Sequence, residues 1–442
     1  MIFGMFKKSG GGGRDDDDDR EDEEIELVTF QGALNGKSAD LSANARLAQA
    51  GLIPAKELVT DAITRRAEMV RVEPKGERAS VTMMVDGVAY AGSRLSKQQA
   101  LAITGMLKLL GGMDAKLRGR AQTGGLKAEL EGIPYEVLID VSPLPEGAER
   151  LVVRLRNLKV KLNTPDELGF STQVKTAIRE LTSNRKGLVL VAGPPNSGTT
   201  TTLYAVLRGI DVYMYSIFSV ADLGTRDVYN ITKFEVNEGD DLEASIMRMK
   251  RAEADVVFVD PLTEAETAKV VLEAAESVCI LTEMNAKDAT SAVAQLLQWA
   301  PPALVADRLD GVFSQKLIRL LCSDCREAFR PNPKLLEKVG LPPETKVLYR
   351  KGEPAVDEKT GEEAPPCPKC NGVGYYGRVA MLEMLIPGDG LRELLRKGGA
   401  SAEQIRTQAR TEGMLTFQKD GLRLVAEGKT SLEELQRVFK AT

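Results

Sequence analysis

Histidine does not occur among the 442 residues, and tryptophan occurs once. The lack of histidine excludes any mechanism that needs an imidazole as a base, a proton shuttle or a metal ligand. Long apolar runs are also missing, since no stretch approaches the roughly 20 residues of a membrane-spanning helix. The opening segment MIFGMFKK is too short and wrongly flanked for a secretory signal. We therefore expect a cytoplasmic protein.

The chain also lacks an excess of positive charge, because its formal net charge is −5. This balance argues against a nucleic-acid-binding surface over the whole chain, so no nucleic acid is expected as a partner. Cysteine is sparse, with five residues, yet four of them form two C-x-x-C pairs. In a reducing compartment such pairs favour metal binding or redox chemistry over structural disulfides. The length predicts two or three domains, each with its own core.

The first third of the chain divides into three predicted segments. Residues 1–37 contain a glycine run and the acidic block RDDDDDREDEE, which repels itself and cannot bury a core. We predict a disordered tail there, which either solubilises the chain or binds a basic partner. Residues 38–157 mix helical periodicity with alternating apolar segments and predict an α+β domain. Residues 158–170 form a polar linker.

Apolar strands alternate with helical segments over residues 171–320. Near-continuous apolar strands in such an alternation predict a doubly wound, mostly parallel sheet, with ligands at the carboxyl ends of the strands. Residues 321–386 form a cysteine-containing element, whose first cysteine pair is expected to follow a helix ending in QKLIRLLC, and residues 387–442 a small helical bundle. The predicted strands are 188–192, 214–220, 256–259 and 278–282.

The stretch GLVLVAGPPNSGTTTTLY, residues 187–204, predicts a strand, a loop and a helix. Its loop has the spacing of G-x-x-x-x-G-K-[ST], in which backbone N–H groups and a helix N-terminus bind phosphates. Thr199 stands where the lysine of that motif is expected. Three interpretations remain: a degenerate site that binds nucleotide or another anion, a retained turn that binds nothing, and a working motor with substitute residues. The candidate nucleotide-binding residues are Gly193, Asn196, Ser197, Gly198, Thr199, Thr200 and Thr201.

Two carboxylates and four thiols are candidate metal ligands. Asp222 and Asp260 both follow apolar strands and could chelate magnesium together, or could be exposed strand-end carboxylates. The two C-x-x-C pairs supply the four thiolates of a closed tetrahedral zinc site, which would fix a loop of about forty residues onto the core. A dithiol redox site and unligated thiols are the alternatives. The four cysteines are Cys322, Cys325, Cys367 and Cys370.

The order of these parts resembles the type II secretion and type IV pilus assembly ATPases over about residues 55–438. GLVLVAGPPNSGTTTTLYAVLR is similar to the phosphate loop of that family, and QKLIRLLCSDC with CPKCNGVGYYGR is similar to its tetracysteine zinc element. The resemblance implies a RecA-like P-loop core preceded by a smaller α+β domain. It also implies a hexameric ring, with itself or with an active paralogue, that docks on an inner-membrane platform protein, so that the chain is peripheral to that membrane.

The departures from the family pattern fall on positions that, by the resemblance, carry nucleotide binding and hydrolysis in the family. Beside Thr199, the resemblance puts Pro261 at the catalytic glutamate, and the neighbouring Asp260 is the nearest substitute. Several such losses would remove most of the rate enhancement of an NTPase, since one transition-state donor contributes about 10² to 10³ and an arginine finger about 10³ to 10⁵. We predict a pseudo-ATPase scaffold or regulatory subunit; a divergent active motor and a nucleotide sensor are the alternatives. The other departures are Thr82, Met84, Ala221 and Asn285.

Overall fold

The computed structural model describes residues 26–160, 164–221, 231–236, 239–353 and 365–440. The acidic block of the predicted tail and the candidate ligand Asp222 lie outside the described residues. The chain divides into two compact units, residues 1–161 and 162–442. Within the described ranges, no helix combines the length and the apolar character needed to cross a bilayer.

The first unit is a seven-stranded antiparallel sheet covered by two helices. The order across the sheet is β1-β5-β6-β7-β2-β3-β4. The strands are β1 (Thr29–Ala33), β2 (Ala67–Lys75), β3 (Arg78–Val85), β4 (Val88–Ser96), β5 (Gln122–Leu130), β6 (Ile133–Pro143) and β7 (Glu149–Asn157). The helices are α1 (Ala45–Thr64) and α2 (Lys97–Leu110).

Local sequence signals explain both the start and the packing of α2. Ser96 and Gln99 form a capping box, in which each side chain accepts a hydrogen bond from the backbone N–H of the other residue. A Cβ atom on Gly51 of α1 would lie 2.5 Å from the carbonyl oxygen of Ala102, so only glycine permits this close approach of α1 to α2. The apolar faces of both helices then join the sheet in one core.

A buried ion pair joins α2 to β7 in this unit. Lys108 is fully buried, and its Nζ lies 2.8 Å from Oε1 of Glu149. The same ammonium donates a hydrogen bond of 2.6 Å to the carbonyl oxygen of Leu117. The pair therefore holds the segment after α2 against the sheet, and it would leave a buried charge without its partner if one side chain were removed.

The second unit is built on another seven-stranded sheet. Its strands are β8 (Gly187–Gly193), β9 (Ile217–Ser219), β10 (Thr232–Lys233), β11 (Val256–Phe258), β12 (Cys279–Asn285), β13 (Leu309–Leu321) and β16 (Tyr375–Leu385). A separate two-stranded antiparallel sheet consists of β14 (Glu327–Phe329) and β15 (Leu348–Arg350). The helices are α3 (Thr172–Ser183), α4 (Thr199–Gly209), α5 (Leu242–Arg251), α6 (Ala265–Ala274), α7 (Ala289–Trp299), α8 (Pro302–Arg308), α9 (Pro333–Val339), α10 (Asp389–Arg396), α11 (Ala402–Thr411), α12 (Phe417–Ala426) and α13 (Leu432–Lys440).

The order across this sheet is β10-β9-β11-β12-β8-β13-β16. All neighbours are parallel except β13 and β16. Helices α3 and α4 pack on one face, and helices α5 to α8, α10 and α11 pack on the other. The predicted doubly wound, mostly parallel sheet is confirmed, and the five apolar residues before Gly193 are buried because helices cover both faces.

One predicted helix is wrong. The segment ending in QKLIRLLC is not helical but the long strand β13, which pairs with β8 on one side and with β16 on the other. Val312 belongs to the core on one face of the sheet and Phe313 to the core on the other face. Because both faces are covered, apolar residues follow one another without alternation, and such a run has the same pattern as a buried helix.

Candidate functional site

The loop after β8 has the backbone conformation that its glycines permit. Strand β8 ends at Gly193, and α4 begins at Thr199. Gly198 is the N-cap residue of α4 and has a φ of 85°, in the left-handed region that favours glycine. Asn196 also has a positive φ, of 65°, and asparagine tolerates this region better than most residues. The predicted strand, loop and helix are therefore present, with the free N–H groups of α4 at the loop.

Gly193 is required by the close folding of this loop. A Cβ atom at this position would lie 2.3 Å from Oγ of Ser197 and 2.9 Å from the carbonyl oxygen of Gln315. Ser197 is 5% exposed, and its hydroxyl finds no hydrogen-bond partner among the described residues. The loop is therefore compact, and it keeps one buried hydroxyl that is not used by the protein.

Gln315 of β13 fixes the loop to the sheet, a role that the sequence did not predict. Its Nε2 donates a hydrogen bond of 2.7 Å to the carbonyl oxygen of Ser197. Its Oε1 accepts a hydrogen bond from the hydroxyl of Thr202 in α4. The side chain is only 2% exposed. One buried amide thus joins the loop, the helix that follows it and the neighbouring strand.

The hydroxyl of Thr200 is bound by a carboxylate of the chain itself. Oε1 and Oε2 of Glu283 lie 2.8 and 3.1 Å from Oγ1 of Thr200. In the motif G-x-x-x-x-G-K-[ST], the hydroxyl at the position of Thr200 binds Mg²⁺. Within the described ranges, Glu283 forms no ion pair with a lysine or arginine. The first turn of α4 therefore faces a negative charge.

Lys316 does not take the place of the missing lysine. It follows Gln315 in β13, so its side chain lies on the opposite face of the sheet from α4. Its ammonium lies 4.9 Å from the centre of the Phe417 ring. Burial lowers the pKa of Lys316, and the carboxylates of Asp288 and Glu383 act against this shift. The ammonium is thus committed to a different polar cluster.

That cluster lies around the start of α7 and contains two carboxyl groups with opposite pKa shifts. Asp288 accepts hydrogen bonds from Ser291 and from Arg406, whose Nη2 is 2.7 Å away. Burial acts to raise the pKa of Asp288, but the hydrogen bonds from Ser291 and Thr290 together with the charge of Arg406 outweigh it, and the pKa is lowered. Burial raises the pKa of Glu383 to about 6, although Glu383 accepts a hydrogen bond of 3.0 Å from the Ala289 N–H.

The candidate ligand Asp260 and the departures Pro261, Asn285 and Ala221 lie at or near the carboxyl edge of the sheet. Asp260 and Pro261 follow β11 and are exposed, and the Asp260 carbonyl oxygen accepts a hydrogen bond of 2.9 Å from Thr282. Asn285 is exposed and lies opposite Gly193 in the pairing of β12 with β8. Ala221 is buried in the core on the α4 face. A pairing of Asp260 with Asp222 stays a prediction, since Asp222 is not described.

The four cysteines of the two C-x-x-C pairs come together in one group. The Sγ atoms of Cys322 and Cys367 are 3.9 Å apart, and those of Cys325 and Cys370 are 3.6 Å apart. All four Sγ atoms lie within 4.8 Å of one another, a spacing that could hold one metal ion. The backbone N–H of Gly374 donates a hydrogen bond of 3.3 Å to Sγ of Cys370.

Electrostatic contacts around this group shift the pKa values of its thiols in opposite directions, because burial raises the pKa of Cys322 and of Cys325. Lys369, between Cys367 and Cys370, donates hydrogen bonds of 2.7 and 2.8 Å to Ser323 and Asp324 of the first pair. The backbone N–H of Cys370 lowers the pKa of the Cys367 thiol to about 7. By contrast, burial raises the pKa of the fifth cysteine, Cys279, to about 12, as expected for an inert thiol in the core.

A mostly parallel sheet with helices on both faces, and a glycine-bounded loop from the inner strand β8 into a helix, define a phosphate-loop α/β protein. The chain belongs to the Type II/IV secretion system protein family, whose pattern matches residues 48–437. The predicted resemblance is thereby confirmed. The matched range includes the loop after β8 and all four cysteines of the two C-x-x-C pairs.

Relatives named for secretion and for pilus assembly both match. The Type II secretion system protein HxcR of Pseudomonas aeruginosa is 29% identical over 387 residues, which are 87% of this chain and 76% of the relative. The Type IV pilus assembly ATPase PilB of Myxococcus xanthus is 31% identical over 86% of this chain and 66% of its own length. The X-ray structure of the Legionella pneumophila ATPase DotB has a TM-score of 0.55 at 14% identity, covers 88% of this chain and 96% of that one, and is similar in fold.

Proposed function

We propose that this protein is a non-hydrolysing member of the secretion and pilus motor family, which serves as a scaffold or regulatory subunit of such a machine. The observation that supports this proposal most directly is the first turn of α4. Thr199 occupies the position of the phosphate-binding lysine, and the hydroxyl of Thr200 is engaged by the carboxylate of Glu283. A loop that should attract phosphates therefore has lost a positive charge and faces a negative one.

The expected effect of the replaced residues is larger on the rate of hydrolysis than on the affinity for nucleotide. Losing one charge-assisted hydrogen bond costs about 1.5 to 3 kcal/mol, or roughly ten- to a hundredfold in affinity. Losing a transition-state donor costs about 10² to 10³ in rate. In this chain Pro261, which has no ionisable group, stands at the position where the resemblance expects the catalytic glutamate. The combined effect leaves little of the acceleration that an NTPase needs.

The scaffold itself is retained, which supports an assembly role. We propose that the chain forms a ring of six subunits, either alone or together with an active paralogue, and binds an inner-membrane platform protein from the cytoplasmic side. The relatives named for type II secretion and type IV pilus assembly support this proposal. We further propose that the four clustered cysteines hold a structural zinc ion, which fixes the segment between Cys325 and Cys367 onto the second unit.

The second candidate function is a divergent, ATP-hydrolysing motor of the same machinery. Relatives such as PilB are named ATPases, and the exposed Asp260 at the end of β11 is the observation that favours this function. In that case Asp260 would assist a magnesium ion or an attacking water, although Pro261 supplies no carboxylate.

Phosphate release from ATP by the purified full-length chain separates the two functions. We expect no release above the protein-free baseline, with magnesium or with EDTA. Two variants make the assay decisive: Asp260→Ala, and Glu273→Ala as a control, because Glu273 is an exposed carboxylate on α6. Magnesium-dependent release that Asp260→Ala abolishes and Glu273→Ala preserves would refute the scaffold proposal.

A further inference from the structure

Glu283 is a charged residue inside an otherwise apolar strand. It belongs to β12, CILTEMN, in which only Glu283 and Asn285 are not buried. Its side chain lies on the face of the sheet that α4 covers, the same face as Leu281. A carboxylate at such a position needs a polar partner. The partner that it finds is the Thr200 hydroxyl, which lies within hydrogen-bond distance of both carboxylate oxygens.

The start of α4 is a favourable place for an anion. The first N–H groups of a helix lack partners within the helix, and the helix dipole favours negative charge there. Thr200 is the second residue of α4, so Glu283 brings a carboxylate to that end from 83 residues along the chain. The chain thus supplies its own anion where a phosphate would otherwise bind.

The loop nevertheless keeps unused donor capacity. The hydroxyl of Ser197 is buried and has no hydrogen-bond partner within the described residues. Gln315 holds the carbonyl oxygen of Ser197, and so preserves the shape of the loop whether or not a ligand is present. The shape of the loop after β8 therefore does not depend on Glu283, whose carboxylate lies beside it.

We propose that Glu283 is the residue that determines specificity at this loop by excluding phosphate groups from it. The carboxylate occupies the hydroxyl of Thr200 and repels a second anion at the same helix end. This inference rests on the proposed function, in which the natural chain does not hydrolyse ATP. The alternative explanation is that the loop does not bind phosphate only because Thr199 replaces the lysine. The two explanations therefore attribute the loss of phosphate binding to different residues, Glu283 and Thr199.

Four proteins test the inference: the natural full-length chain, Glu283→Gln, Thr199→Lys and the control Glu273→Gln. In the Glu283→Gln variant the new side-chain amide can still accept the hydrogen bond of Thr200, so the substitution removes charge with little change of shape. Binding of ATP with magnesium and of inorganic pyrophosphate is measured by calorimetry, and phosphate release is measured in the same samples. Pyrophosphate lacks the base and sugar, so it reports on the loop itself.

We expect Glu283→Gln to bind both ligands with at least about tenfold higher affinity than the natural chain, the effect of one unfavourable charge contact. Glu273→Gln should leave the affinity unchanged. Equal affinity of Glu283→Gln and the natural chain overturns the inference, as does a gain confined to Thr199→Lys. If Glu283→Gln does not fold, Glu283→Ala is subjected to the same criteria. Phosphate release by the natural chain refutes the proposed function separately, whatever the ratio of affinities.

Discussion

Replacing Gln315 by leucine should destabilise the second unit by about 2 to 4 kcal/mol. The carbonyl oxygen of Ser197 and the hydroxyl of Thr202 both lose their partner in this variant. An unsatisfied buried polar group costs about 1 to 3 kcal/mol, and neither group can turn to water readily, since Ser197, Thr202 and Gln315 are all at least nine-tenths buried. The side chain volumes are similar, so the polar term should dominate.

The single tryptophan makes the measurement specific to this unit. Trp299 ends α7 and packs against the core of the second unit. Its fluorescence during urea unfolding therefore reports on residues 162–442 and avoids the two-state assumption for the whole chain. Gln173→Leu is the matched control, because Gln173 is an exposed glutamine in the first turn of α3. This control should change the free energy of unfolding by less than about 0.5 kcal/mol.

A double-mutant cycle with Thr202→Val identifies the cause. If the two side chains act through their mutual hydrogen bond, the double variant should cost less than the sum of the single variants, because the second substitution removes a group already left unpaired. Additive effects would show that the two residues act independently. A loss below about 0.5 kcal/mol for Gln315→Leu would refute the argument that this amide holds the loop.

Three further predictions concern an ion pair, the cysteine group and a buried carboxyl group. Lys108→Met should lower the stability of the first unit by about 3 to 5 kcal/mol, because it leaves the buried Glu149 carboxylate unpaired. The double variant Lys108→Met with Glu149→Leu should recover most of that stability. Hydrogen exchange in β6 and β7 measures the stability of both variants. Cys367→Ser should lower the zinc content from about one ion per chain to well below one, and should lower the unfolding temperature. Metal analysis measures the zinc content, and calorimetry measures the unfolding temperature. Burial raises the pKa of Glu383 from 4.5 to about 6, so the native residue stays protonated to a higher pH than the unfolded residue. The free energy of unfolding of the natural chain should therefore fall by about 2 kcal/mol between pH 4.5 and 7 relative to that of Glu383→Gln. Urea unfolding at each pH measures this difference. The zinc prediction is contradicted if the natural chain contains no metal, and the Glu383 prediction if the stability difference does not change with pH. The Lys108 prediction is contradicted if the double variant is as unstable as Lys108→Met alone.

Local pattern was sufficient for the strands that lead to the loop. The predicted strand 188–192 lies within β8, and the predicted strand 256–259 contains all of β11. Glycine spacing likewise predicted the turn, because Gly198 needs a left-handed backbone that other residues adopt at a cost. These features depend on short segments, for which periodicity and backbone preference are informative.

Features that depend on distant partners were not predicted. Gln315 lies 113 residues from Thr202, and Glu283 lies 83 residues from Thr200. No sequence spacing joins such pairs; only the strand order, with β8 between β12 and β13, brings them to one loop. A charged residue within the apolar strand CILTEMN was the one local signal for Glu283. The resemblance to the family could not reveal either contact, since it concerned motifs one at a time.

The strand β13 limits how this region of the chain can vary in length. Gln315 holds the loop after β8, and Cys322 begins the cysteine group seven residues later, about 23 Å along an extended strand. Side chains alternate between faces up to the register shift between Arg319 and Leu321, so one residue inserted or deleted between Gln315 and Arg319 would turn either Gln315 away from α4 or Cys322 away from the other thiols. Homologous chains with both features should therefore differ in this interval by substitution only. Length polymorphism is expected instead between Cys325 and Cys367, where a closed metal site would tolerate a longer connection.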